Sequence, residues 1–247
     1  LAKDVSGQKP PAAYAHRCAA LKTMKRKRSP DTSIEDLHAL YTECMNCENT
    51  ADQCPGVWKD IDNGVPPRGF HYKVAPVQVL VVAKNPGHPF SGEPELYLGL
   101  RDRELLQAYW DFHDEFYPNP ETYNEPSNRF HKNLFRYIGH FLEVPSSEIY
   151  YYAAHTNLVK CSTPDESGKL NSTIKEECYR KFLVREIGLF RPKVLIALGR
   201  EVERFLIKKS SDLGIPIVYV KHPSYPYPKD QEQKILDEIK EKVQKSL

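Results

Sequence analysis

The stretch "STIKEECYRKFLVREIGLFRPKVLIALGREVERFLIKK", residues 172 to 209, reads as helix, strand and helix in succession. As far as Phe190 its apolar residues recur at helical spacing. "PKVLIALG" is then an unbroken apolar run of strand length, the pattern of a strand covered on both faces. Gly199 turns the chain into "REVERFLIKK", which is helical again.

The same alternation extends in both directions. "PVQVLVVAK" (76–84) is another buried-strand run, and "RDRELLQAYWDFHDEFY" (101–117) and "SNRFHKNLFRYIGHFL" (127–142) have helical spacing. "EIYYYAAHTN" (148–157) reads as a strand, "IPIVYVKH" (215–222) as the last strand, and "KDQEQKILDEIKEKVQKSL" (229–247) as a charged closing helix. Strand and helix in alternation predict an α/β fold, a four-stranded parallel sheet sandwiched by helices. Ligands of such sheets sit beyond the carboxyl ends of the strands. Those ends carry "AKNPGHPFSG", "HTNLVKC", "ALGR" and "KHPSYPYP". Each alone is ordinary, because Asn-Pro-Gly is a common turn and a histidine before proline is often a surface residue. Their convergence on one edge is the stronger argument.

At 247 residues one embellished domain is expected rather than two. A 40% hydrophobic and 28% charged composition describes an ordinary soluble globule. No apolar run is long enough to cross a bilayer, so no membrane partner is expected. The first residues lack the pattern of a signal peptide. A net charge of +2 says nothing about nucleic acid, but "LKTMKRKRSP" (21–30) gathers Lys22, Lys25, Arg26, Lys27 and Arg28. That segment is either a solvated tail or a phosphate-contacting patch. The expected organisation is a basic, partly irregular segment over 1–30, then a single domain over 31–247.

Six cysteines without a secretion signal suggest a reducing, intracellular compartment, where clustered thiols bind metal more often than they pair. "DTSIEDLHALYTEC" (31–44) predicts a short helix leading into Cys44-x-x-Cys47. Cys161 and Cys178 can reach that pair only through folding. Four thiolates suit an iron–sulfur cluster or structural zinc, and spacing alone does not separate them.

"TNLVKCSTP" (156–164) followed by "EECYRKFLVREIGLFRPKVLIALGREVERFL" (176–206) resembles the uracil-DNA glycosylase superfamily. It is most similar to the iron–sulfur-containing family-four branch of archaea and bacteria. "VLVVAKNPG" (79–87) is similar to the superfamily's first motif and "HPS" (222–224) to its last, so the resemblance covers roughly residues 40 to 225. The first motif departs from family four, which reads G-E-A-P-G; Ala83-Lys84-Asn85-Pro86-Gly87 instead resembles the G-x-N-P-G of the single-strand-selective and mismatch-specific branches. The helices within 101–141 look like an insertion.

The resemblance implies a monofunctional DNA glycosylase that flips uracil out of DNA, single- or double-stranded, and leaves an abasic site. It also implies a prokaryotic, archaeal, cytoplasmic and monomeric protein. Asn85 would orient the attacking water, since an amide cannot act as a general base. Asn157 would read uracil by accepting from N3–H and donating to O4, the opposite of the pattern cytosine presents. His222 would donate to O2 of the departing base. Phe90, or Tyr97 if the shortened loop moves it, would stack on the base, with Gly87 lining the pocket. Tyr225 and Tyr227 would supply a wedge between prolines, while Ser224 and Lys84 contact phosphate. Cys44, Cys47, Cys161 and Cys178 would hold a structural [4Fe–4S] cluster, with zinc as the other occupant and Cys54 as a substitute ligand. The plainer alternatives are a turn for Asn85, a strand-end cap for Asn157 and a loop histidine for His222. A glycosylase for hypoxanthine, a non-catalytic damage-binding module and a nucleotide-binding α/β protein are the competing functions.

Overall fold

The computed structural model describes residues 32–45, 47, 76–87, 93–117, 119, 128–163, 170–225 and 227–247. The expected basic segment over 1–30, with Cys18, Cys54 and Phe90, lies outside the described residues.

Four strands form one parallel sheet in the order β2-β1-β3-β4: β1 (Val79–Ala83), β2 (Ala153–Asn157), β3 (Val194–Leu198) and β4 (Ile217–Val220). Every residue of β1, β2 and β3 is buried, as a parallel sheet covered on both faces requires. The edge strand β4 instead alternates between buried and half-buried positions. Side chains point alternately to the two faces. Leu80, Val82, Leu195 and Ala197 therefore enter one core, while Val79, Val81, Val194, Ile196 and Leu198 enter the other.

The described helices are α1 (Thr32–Met45), α2 (Glu93–Leu96), α3 (Asp102–Phe116), α4 (Arg129–Leu142), α5 (Ser172–Cys178), α6 (Val184–Phe190), α7 (Arg200–Ile207), α8 (Ser210–Leu213) and α9 (Glu232–Ser246). A π-helical turn, Tyr179–Leu183, joins α5 to α6, so the helix expected over 172–190 is continuous but locally widened. The first core takes side chains from α1, α5, α6 and α7, the second from α4 and α9, and α3 contributes to both. From β1 the chain steps outward to β2, then returns past β1 to β3. Right-handed crossovers in opposite directions place the connecting helices on opposite faces, and the reversal opens a crevice between β1 and β3.

One expected strand is shorter than its sequence suggests. Of residues 148–157 only Ala153–Asn157 pair in the sheet; Ser146–Tyr151 form a 3-10 helix opened by Pro145. Tyrosine and isoleucine favour strands, but here Ile149 and Tyr150 bury against the second core, and packing overrides propensity.

Helix α4 bears directly on the site. Leu134, Phe135, Ile138 and Phe141 bury one face, each contributing about 1.5–3 kcal/mol. Arg136 grips the Glu232 carboxylate of α9 with two hydrogen bonds at 2.7 and 2.8 Å. That half-exposed pair adds at most about 1 kcal/mol. Apolar burial, not the ion pair, holds the helix in place.

Candidate active site

The loops leaving β1 and β2 are zipped together. In register, Ala83 faces Asn157. Beyond them Leu158 N–H donates to Ala83 O at 2.8 Å and Val159 N–H donates to Lys84 O at 3.0 Å. Ser162 Oγ then donates to the Gly87 carbonyl at 3.0 Å. Asn85 Nδ2 donates to Thr163 Oγ1 at 3.3 Å and to Pro86 O at 2.9 Å. Both bonds use the amide nitrogen, so Oδ1 is the atom able to accept from a water. Asn157 is 2% exposed, and its backbone carbonyl accepts from Lys160 Nζ at 2.6 Å.

The exits of β3 and β4 meet these loops. Gly199 has φ +87° and ψ 157°, a region essentially closed to residues with a Cβ. Its N–H donates to Val220 O at 2.9 Å. A Cβ at Gly199 would lie 4.0 Å from His222 Cβ. The His222 loop is held at several points. Asn133 Nδ2 of α4 donates to Pro223 O at 2.8 Å, Tyr225 N–H to His222 O at 2.8 Å, and Lys221 N–H to Tyr227 Oη at 2.9 Å.

His222 itself is neutral at pH 7. Burial pushes its pKa down to about 4, and the nearby Lys84 ammonium adds to the effect. Ser224 N–H donates to His222 Nδ1 at 3.3 Å. With Nδ1 accepting, the proton of the neutral ring sits on Nε2, which becomes the available donor. His155 on β2 is pushed down to about 3, first by burial and then by His222 and Lys160. These mutual influences tie the exits of β1, β2 and β4 into one region.

The other expected site residues are spread around this centre. Lys84 is half-buried and Gly87 exposed on the β1 loop. Tyr225 is 66% exposed and Ser224 exposed, whereas Tyr227 is half-buried with its hydroxyl committed to Lys221. Tyr97 is 3% exposed inside the first core, its ring 6.2 Å from that of Tyr109. Two residues passed over in the sequence stand beside His222. The Phe130 ring lies 5.2 Å from the His222 ring and 5.7 Å from that of His155, and Asn133 holds the loop. Phe130 precedes Leu134 by one helical turn, so in sequence it reads as part of the apolar stripe of α4.

The four thiols named from the sequence lie in one electrostatic neighbourhood. Burial pushes the Cys44 thiol well up; Cys161, Cys178 and Cys47 push it further, against the opposing charge of Lys160. None of the four forms a disulfide. Cys44 lies in the last turn of α1, Cys47 N–H donates to the Cys44 carbonyl at 3.2 Å, Cys161 lies in the loop after β2, and Cys178 ends α5. Arg185 of α6 and Glu43 of α1 form a two-bond ion pair that docks the first helix beside them. Among the described residues, no three His, Cys, Asp or Glu side chains are gathered closely enough to hold a single metal ion. No described helix is long and apolar enough to cross a membrane.

No match is found among curated proteins. A family model, the Uracil DNA glycosylase superfamily, matches residues 71–244, which span β1 through most of α9 and therefore all four strand exits. The chain belongs to the uracil DNA glycosylase superfamily, the DNA-repair hydrolases that excise damaged bases.

Proposed function

We propose that this DNA glycosylase is specific for uracil and hydrolyses the N-glycosidic bond without a lyase step. The observation that carries the reading is the gathering of Asn85, Asn157 and a neutral His222 on one sheet edge.

The uracil–deoxyribose bond breaks with its electron pair leaving on the base, and the sugar gains oxocarbenium character. His222 Nε2–H donates to O2 of the departing base as negative charge develops there; a preorganised donor of this kind is worth about 100- to 1,000-fold in rate. Asn85 Oδ1 places the water whose oxygen joins the sugar carbon. One water proton ends on the base. The Asn157 amide accepts from N3–H and donates to O4, so cytosine leaves buried polar groups unpaired. Phe130 is the described aromatic best placed to wall the pocket beside His222. Tyr225, with its ring exposed, fills the space left in the duplex.

Cys44, Cys47, Cys161 and Cys178 fit a [4Fe–4S] cluster by donor type and number. The likeness of "TNLVKC" (156–161) and the later Cys178 to the iron–sulfur branch is what favours the cluster over zinc. Such a cluster ties α1 to the sheet, while the proposed base removal needs no electron from it.

The test is a base-release panel on labelled oligonucleotides carrying uracil, hypoxanthine, xanthine or thymine, in single and double strands. Free uracil and an alkali-labile abasic site are expected, with no strand cleavage before alkali treatment. An Asn157→Asp variant should shift preference away from uracil and toward cytosine. Dominant hypoxanthine release, or equal loss on both pyrimidines, would overturn the uracil assignment.

A further inference from the structure

The buried ion pair behind Asn157 is not needed by the mechanism above. Lys160 and Glu186 are 1% and 0% exposed, with Nζ to Oε2 at 2.6 Å. Lysine and glutamate are almost never this buried unless paired. Lys160 Nζ also donates to Thr156 Oγ1 at 2.7 Å and to the Asn157 carbonyl at 2.6 Å. Thr156 Oγ1 in turn donates to Glu186 Oε1 at 2.9 Å. An ammonium has three donors, and these three bonds match them. The closed ring of bonds anchors Thr156 and Asn157, the last two residues of β2, to α6 through Lys160, the residue next to Cys161.

A buried ion pair is weak evidence for stability, because desolvation of both charges offsets their attraction. Well-packed apolar residues would hold the core as firmly. What they cannot do is grip the Asn157 carbonyl and fix the direction in which the amide leaves the strand.

We infer that Lys160 is a positioning residue for Asn157, braced by Glu186 and Thr156 so that the base-reading amide is set before DNA arrives. The inference rests on the reading of Asn157 as the base-contacting residue. It adds a structural dependence: base recognition is tied to the α5–α6 rod that carries Cys178.

A double-mutant cycle in single-turnover base release tests it, in the full chain. Lys160→Met with Glu186→Leu removes both charges while roughly keeping volume. The bond-breaking rate should fall about 100-fold, as expected when a group that positions the substrate is displaced by about 1 Å, with unchanged affinity for undamaged DNA. In an Asn157→Ala background the same two changes should cost no more than about 2-fold, because the residue they position is gone. Glu186→Gln, which leaves Lys160 its bond to the Asn157 carbonyl, should lose less. Should the pair-removed protein not fold, Thr156→Val removes two bonds of the ring, the one the hydroxyl accepts from Lys160 and the one it donates to Glu186, and should cost about 3- to 10-fold, again only when Asn157 is present. Equal losses with and without Asn157, or a loss confined to DNA affinity, would overturn the inference and leave the function standing. A wild-type protein that releases no base would overturn both.

Discussion

The neutral His222 makes a prediction that separates this site from an ordinary surface histidine. With a pKa of about 4, lowered mainly by burial and then by Lys84, the ring stays neutral well into acid. At pH 5.5 about 97% of such rings are neutral, against about 9% for a histidine at the usual 6.5. If base release uses the neutral Nε2–H donor, the single-turnover rate should be nearly flat from pH 8 to about 5.5 and should fall with a midpoint near pH 4. Lys84→Met should move that midpoint upward, but not as far as 6.5, since burial is the larger cause. Stability must be followed at each pH, because His155 has its own linkage. Its folded pKa of about 3 lies below the ordinary value, so the unfolded chain binds the proton first. That stabilisation is complete above about pH 6.5 and is lost as pH falls toward 3, at about 1.4 kcal/mol per pH unit. Short reactions at low temperature, with unfolding measured in parallel, keep the two effects apart. A rate midpoint near 6.5, or a rate that climbs steadily into acid, would refute the neutral-donor argument.

Gly199→Ala should destabilise the protein by about 1–3 kcal/mol, all of it backbone strain, since a Cβ there meets nothing nearer than 4.0 Å. Gly188→Ala, at an exposed turn of α6 with open space around it, should instead stabilise by about 0.5–1 kcal/mol. Urea unfolding reads both, and equal shifts would contradict the conformational assignment. Anaerobically purified protein should be brown with broad visible absorbance, and replacing Cys178 by Ser should bleach it. Colourless protein with one zinc per chain would exclude the cluster.

The elements were readable from sequence because their signals are local. Buried parallel strands announce themselves as apolar runs, and the helix beginning at Arg129 shows its stripe at 134, 135, 138 and 141. The strand that proved short, beginning at Glu148, failed for the converse reason. Its tyrosines and isoleucine satisfy strand propensity, yet the core offered Ile149 and Tyr150 a place in a 3-10 helix.

Strand exits could be listed from sequence, and the Asn85, Asn157 and His222 positions with them. Sequence could not supply what those exits share. The protonation state of His222 depends on burial by segments far away in the chain and on Lys84. The Phe130 ring and the Asn133 amide reach the site only because α9 and the second core seat α4 beside the loop that follows β4. Lys160, in sequence an ordinary cation between a valine and a cysteine, is buried only because Glu186 arrives from α6. Periodicity is a property of neighbours along the chain and survives in one dimension. Burial, electric field and hydrogen-bond partnership depend on distances in three, and those existed only once the sheet had closed.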